Sequence, residues 1–282
     1  MKVLSNNAIY IFNFSFTMKI HNSIPCAITV AGSDSGGGAG IQADLLTFAA
    51  NGVWATSAIA ALTAQNPEKV TDINVAGGRF LLNQLEAIYT YYTPRAAKTG
   101  MLFDTDTISA AVNFFETHPD IKLVVDPVAI STSGAKLLKD DAIDILKKRL
   151  LPLATVFTPN LDEAAMLLNC DKIEHLPSAA KELEYLYKAP VFLKGGHLES
   201  NKITDTLCIN SEIIEMTSTR IEGIDTHGSG CTLSAAITAN LAKGESLVDA
   251  CANARNYLLQ GMMNPVAFKG KKFINHFPNA KK

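Results

Sequence analysis

Residues 223–244 read GIDTHGSGCTLSAAITANLAKG, a polar, glycine-bearing loop that runs into a helix. Gly228 and Gly230 allow a tight turn and leave room for a ligand to approach the backbone. After Ser229 the run is rich in Ala and Leu, which favour helix, and Gly244 offers a left-handed stop. The opening amides of a helix lack internal partners, and its dipole places partial positive charge there. Gly228, Ser229, Gly230 and Cys231 therefore form a candidate anion hole, suited to phosphate above all. The same field favours the thiolate of Cys231. A proton acceptor beside an anion hole is what phosphoryl transfer needs. Taken by itself, the stretch is equally a helix cap followed by a buried cysteine.

Outward from this stretch, strands and helices alternate. Residues 27–31 (AITVA) form a short apolar strand, followed by a loop with five glycines in nine residues, 32–40. Ile41, Leu45 and Phe48 then recur at helical spacing as far as Gly52. Further strands are predicted at 57–62, 96–98, 122–125, 154–157 and 191–193. Helices are predicted at 80–92, 106–116, 141–151, 161–168, 178–187 and 247–262. Residues 204–209 and 212–217 read as a hairpin around Asn210-Ser211. Short strands that are apolar on both faces belong to a parallel sheet covered by helices on each side. The expectation is an α/β three-layer sandwich with a mostly parallel central sheet.

Composition narrows the function. The chain has 282 residues, 48% hydrophobic and 18% charged, with a formal net charge of -2. That supports a substantial core and carries no electrostatic footprint for nucleic acid. Five cysteines without a C-x-x-C pair fit a reducing compartment better than a disulfide framework or a zinc site. Residues 1–17 differ from the rest: their apolar run, 8–16, is too short to span a membrane. They read as an N-terminal extension, with Met18 an alternative start and 18–282 one domain. A cytoplasmic protein with no membrane and no nucleic-acid partner is expected; an enzyme with small-molecule partners and a homodimeric state is implied by the motifs rather than by composition.

The polar residues cluster after six predicted strands, at 32–40, 65–66, 98–101, 126, 160–163 and 194–197. In a parallel sheet these positions fall along one edge, where ligands bind. The 32–40 loop is not a P-loop, since no Gly-Lys-Ser/Thr closes it, nor a dinucleotide fingerprint. Asp44, one turn into the next helix, either contacts ligand or caps the helix dipole. Gln65 offers a donor and an acceptor, which suits an aminopyrimidine edge, or else makes a loop hydrogen bond. Asp126, Asn160 and Glu163 supply oxygens that suit Mg²⁺. Asn160-x-x-Glu163 is also a capping box, and both readings can hold together. Lys194 is a cation able to hold a nucleotide phosphate. His197 and His227 read as positional.

The motifs taken together resemble one family. AGSDSGGGAGIQAD (31–44), TAQN (63–66), KTGML (98–102), VDPV (125–128), TPNLDEA (158–164), KGGH (194–197) and THGSGCTLSAA (226–236) follow the order found in hydroxymethylpyrimidine/phosphomethylpyrimidine kinases. The resemblance runs from about Pro25 to the His-Phe at 276–277. It implies a ribokinase-like fold and ATP-dependent phosphorylation of 4-amino-5-hydroxymethyl-2-methylpyrimidine and its monophosphate in thiamine biosynthesis. By position it implies that Gln65, Gly32, Asp44 and Met101 bind the pyrimidine. Asn160, Lys194 and Thr226 fall to ATP, Asp126 and Glu163 to Mg²⁺, and Cys231 to the base. One departure is Ser131-Thr132-Ser133-Gly134, where the family often has a lysine at the position of Thr132. A pyridoxal kinase of the same fold and a non-catalytic pyrimidine or nucleotide sensor are the alternative readings.

Overall fold

The computed structural model describes residues 24–129, 137–196 and 201–278. The 1–17 extension, the departure at 131–134 and His197 lie outside the described residues.

Strands β1 (Cys26–Asp34), β2 (Trp54–Asn66), β4 (Ala96–Thr99), β5 (Lys122–Val125), β6 (Val156–Phe157) and β7 (Val191–Leu193) run parallel. Three antiparallel strands complete the sheet: β3 (Lys69–Val75) beside β2, then β8 (Lys202–Ile209) and β9 (Glu212–Thr219) beyond β7. The order is β3-β2-β1-β4-β5-β6-β7-β8-β9. Asn210 and Ser211 both take positive φ (52° and 64°), which suits the tight two-residue turn predicted for the β8–β9 hairpin.

The parallel strands bury both faces because their residues alternate between two apolar clusters. Ile28, Val30, Leu123, Val125, Val191 and Leu193 point to one. Ala27, Val124 and Phe192 point to the other. On the first face lie α2 (Gly78–Tyr92), α3 (Thr105–Thr117), α5 (Leu161–Leu168) and α6 (Leu176–Tyr187). On the second lie α1 (Gly40–Ala50), α7 (Ser229–Ala242) and α8 (Leu247–Met263). These are the three layers expected from the strand composition.

Three local readings need correction. Strand β2 is longer than 57–62 and pairs with β3, a polar edge strand with no apolar run to betray it. The helix read at 141–151 is α4 (Asp140–Ile145), a wider turn at Leu146–Leu150 and a tighter one at Leu151–Leu153. Pro152 has no amide to continue an α-helical ladder. A small hairpin, β10 (Val266–Phe268) and β11 (Lys271–Phe273), follows α8.

Candidate active site

The six parallel strands end on one edge. Gln65 lies in the last turn of chain before β2 ends. Gly100-Met101, Asp126, Asn160 and Lys194 follow the ends of β4, β5, β6 and β7. Helix α7 opens onto the same edge and packs across α1, β1, β4 and β5.

Gly228 precedes α7 with φ 81°, and a Cβ there would stand 1.8 Å from the Gly38 carbonyl oxygen. The two glycine loops are thus interlocked, with no space for a side chain at 228. Within the predicted anion hole, the Ser229 amide already donates to the Thr226 carbonyl (3.0 Å). Among the described residues, the amides of Gly230 and Cys231 have no protein acceptor. The available donors are therefore narrower than the 228–231 run suggests. Thr226 itself is exposed in the turn.

A charge cluster lies beside Gly230. A Cβ on Gly230 would lie 3.3 Å from Lys194 Nζ and 3.5 Å from Asp126 Oδ2. Lys194 Nζ donates to Asp126 Oδ1 (3.1 Å) and stands 4.0 Å from Glu163 Oε2. Asp126 also accepts from Thr158 Oγ1 (3.3 Å) and Ser234 Oγ (3.1 Å). Burial works against the Lys194 ammonium, but the two carboxylates outweigh it and raise its pKa above the ordinary lysine value. Burial, reinforced by Asp126 and opposed by Lys194, pushes Glu163 up to about 7. Both bonds of the Asn160/Glu163 capping box are present at 2.8 Å, so the cap and the acidic cluster coexist. No group of three or more His, Cys, Asp or Glu side chains could cage a metal among the described residues. Two hard oxygen donors do fit a cation that keeps waters and shares a substrate's phosphates.

Asp44 is neither exposed nor a helix cap. It is fully buried, and its Oδ2 accepts from Thr29 Oγ1 (2.6 Å) and from Lys98 Nζ (2.9 Å). Its Oδ1 has no partner among the described residues, an unusual condition for a buried carboxylate. The thiolate expected for Cys231 needs correction. Part of the side chain stays open, but burial pushes the thiol up to about 11. Lys98 and the Gly40 amide pull it down, and Asp44 and Asp126 push it up again. The helix-end field is thus outweighed, and the group is a thiol at neutral pH.

The remaining predicted residues fall into two local groups. The Met101 methyl would be 3.2 Å from a Cβ on Gly32, so these two are in contact. The Gln65 side chain accepts from Thr63 Oγ1 (3.2 Å) and stands 3.4 Å from His227 Nε2. His227 in turn lies 3.1 Å from Asp34 Oδ2. Asp34 accepts the amides of Gly36, Gly38 and Ala39 at 2.8–3.1 Å, which shapes the glycine loop. Burial alone would raise the Asp34 carboxyl, but His227 and the loop amides outweigh it and hold it below its ordinary value.

Three residues escaped the sequence reading. Lys98 had a signal, being a charge in an otherwise apolar strand. Asp34 had one in the glycines that follow it. His276 had none, since only the fold brings the tail to Thr232, whose Oγ1 is 3.0 Å from its Nδ1. Among the described residues no helix is long and apolar enough to cross a membrane.

Comparison with known proteins places the chain in a family. A hydroxymethylpyrimidine/phosphomethylpyrimidine kinase from Rhizobium meliloti is 42% identical over 235 residues, covering 82% of this chain and 88% of the relative. The solved phosphomethylpyrimidine kinase of Clostridium difficile superposes with a TM-score of 0.74 at 37% identity, over 84% of this chain and 99% of that one. An ADP complex of Bacillus subtilis pyridoxal kinase gives 0.83 at 33% identity, over 90% and 98%. Residues 34–275 match a family described as phosphomethylpyrimidine kinase. The chain is a kinase and belongs to the phosphomethylpyrimidine kinase family.

Proposed function

We propose that this chain transfers the γ-phosphoryl group of ATP to 4-amino-5-hydroxymethyl-2-methylpyrimidine and then phosphorylates the monophosphate, as a step of thiamine biosynthesis. The observation that carries this reading is the pair of unpartnered amides at Gly230 and Cys231, set beside the Lys194 ammonium. Such donors stabilise charge on a phosphoryl group in flight, where positioning and electrostatics supply most of the catalysis. The relatives' names, and the ADP bound by the pyridoxal kinase neighbour, support pyrimidine and ATP as the two substrates.

In this reading Gln65, Gly32, Asp44 and Met101 bind the pyrimidine. The free Oδ1 of Asp44 takes a donor from it, which would satisfy a buried carboxylate oxygen that has no partner among the described residues. Asn160, Lys194 and Thr226 serve ATP. Asp126 and Glu163 would hold Mg²⁺, which when bound offsets the charge of the phosphates. Cys231 orients the acceptor hydroxyl. With its thiol pushed up to about 11, it acts as a base only after an ionisation that Lys98 assists. Free cysteines throughout fit a cytoplasmic enzyme. The edge strand β3, with exposed Leu62 beside it on β2, supports a homodimer, and a monomer by sedimentation would remove that part of the reading.

Mg²⁺- and ATP-dependent ADP release, measured with the hydroxymethylpyrimidine, its monophosphate and pyridoxal, tests the reading. Turnover on both pyrimidines with pyridoxal slow is expected. Turnover chiefly on pyridoxal would favour the second reading, which the pyridoxal kinase neighbour supports. Binding without ADP release from any of the three would leave a sensor.

A further inference from the structure

Lys194 follows a strand of only three residues and precedes two glycines, so its own sequence does little to fix it. The backbone around it is nevertheless held firmly. The Lys194 amide donates to the Pro159 carbonyl (2.9 Å). The next amide, Gly195, donates to Asp205 Oδ1 (2.8 Å). A Cβ at 195 would stand 1.8 Å from the Thr204 carbonyl oxygen, so the loop lies flush against β8. The second oxygen of Asp205 accepts from Arg255 Nε (2.8 Å), and Arg255, midway along α8, also donates to the Ile203 carbonyl (3.0 Å) and Ser218 Oγ (2.9 Å).

Asp205 and Arg255 are both buried. A buried ion pair is a poor source of stability, because apolar residues of similar size often do as well or better. What an apolar pair could not supply is an acceptor for the Gly195 amide. We propose that the Asp205–Arg255 pair is a positioning device for Lys194, setting its ammonium between Asp126 and Gly230 to meet the phosphates of ATP. Arg255 fixes Asp205, Asp205 fixes the Gly195 amide, and the amide fixes the residue before it. The inference rests on the reading of Lys194 as an ATP residue.

The test compares Asp205→Asn, which keeps an acceptor for Gly195, with Asp205→Ala, which does not. Each is made in the full chain with Lys194 and again with Lys194→Met. Thermal stability and the KM values for ATP and for the pyrimidine are read for all. Asp205→Ala is expected to raise the KM for ATP about tenfold, the worth of one good hydrogen bond, with the pyrimidine KM unchanged. Asp205→Asn should stay within about threefold of the parent. The difference between them should vanish in the Lys194→Met background, as it must when one residue acts through another. Equal KM values for ATP in the two variants, or a difference that persists without Lys194, would overturn the inference. If Asp205→Ala does not fold, the apolar pair Asp205→Leu with Arg255→Met takes its place as the variant lacking an acceptor. An unchanged KM for ATP in Lys194→Met alone would instead overturn the assignment of Lys194, and this inference with it.

Discussion

Lys98 Nζ lies 2.9 Å from Asp44 Oδ2, and neither side chain is exposed to solvent. One comes from β4 and the other from α1, so the pair ties the sheet to the helix that follows the glycine loop. Removing the cation alone leaves a buried carboxylate without a counter-charge. Lys98→Met is expected to cost about 3–5 kcal/mol of stability. Adding Asp44→Leu should recover most of that loss without recovering ADP release. Urea denaturation of the single and double variants measures the first effect. A Lys98→Met protein as stable as the parent would show that the pair does not hold the two layers together.

Two glycines on the same edge should behave oppositely. At Gly228 a methyl group would collide with the Gly38 carbonyl, and its φ of 81° disfavours any other residue. Gly228→Ala should abolish activity and lower the melting temperature. At Gly196 an added Cβ meets nothing within 4 Å among the described residues. Gly196→Ala should leave stability within about 0.5 kcal/mol of the parent. A thermal melt of each decides the contrast, and equal losses would mean that the interlock of the two loops is not the cause.

Cys231→Ala should lower kcat for the first phosphorylation by roughly ten- to ten-thousand-fold if proton transfer to sulfur contributes, and by less if the thiol only orients the hydroxyl. The second phosphorylation has a phosphate acceptor that needs no base, so it should tolerate the change better. Rates on the two pyrimidines, taken with one enzyme preparation, give the comparison. Equal losses on both would point to a role in shaping the anion hole.

His276 contributes one part of the pH dependence, and Glu163, pushed up to about 7, contributes one of opposite sign. Burial holds the His276 pKa below the ordinary value of 6.5, against a hydrogen bond to Gly38 that works to raise it. The unfolded chain therefore takes up this proton first as pH falls. The stability lent by neutral His276 is complete above 6.5 and declines below it, towards the lower folded pKa. His227 and Asp34 are the titratable groups that bear on it, and their effects are opposite in sign. His276→Gln should flatten the change in melting temperature between about pH 7.5 and pH 5. An unaltered slope would assign that dependence to other groups.

Much of this architecture was legible because apolar strands and their polar ends are local signals. The edge bearing Gln65, Asp126, Asn160 and Lys194 followed from strand ends alone. The fate of Asp44 did not, since its partner Lys98 is 54 residues away and only the fold brings them together. The thiol state of Cys231 was missed for a related reason. A helix terminus is visible in sequence, whereas the burial and the two carboxylates that outweigh it belong to tertiary structure. Strand β3 was hidden by its polarity, since an edge strand with little to bury carries no alternating signal.

The interlock of Gly38 with Gly228, closed by His276 against Thr232, has a consequence for the order in which the molecule is made. A chain emerging from the ribosome presents its glycine loop first. The helix that completes the anion hole comes some 190 residues later, and the histidine that packs behind it 44 residues beyond Thr232. Growing chains can bury much of the sheet while still lacking a pocket. Catalysis by this fold therefore begins only once the chain has been made as far as His276.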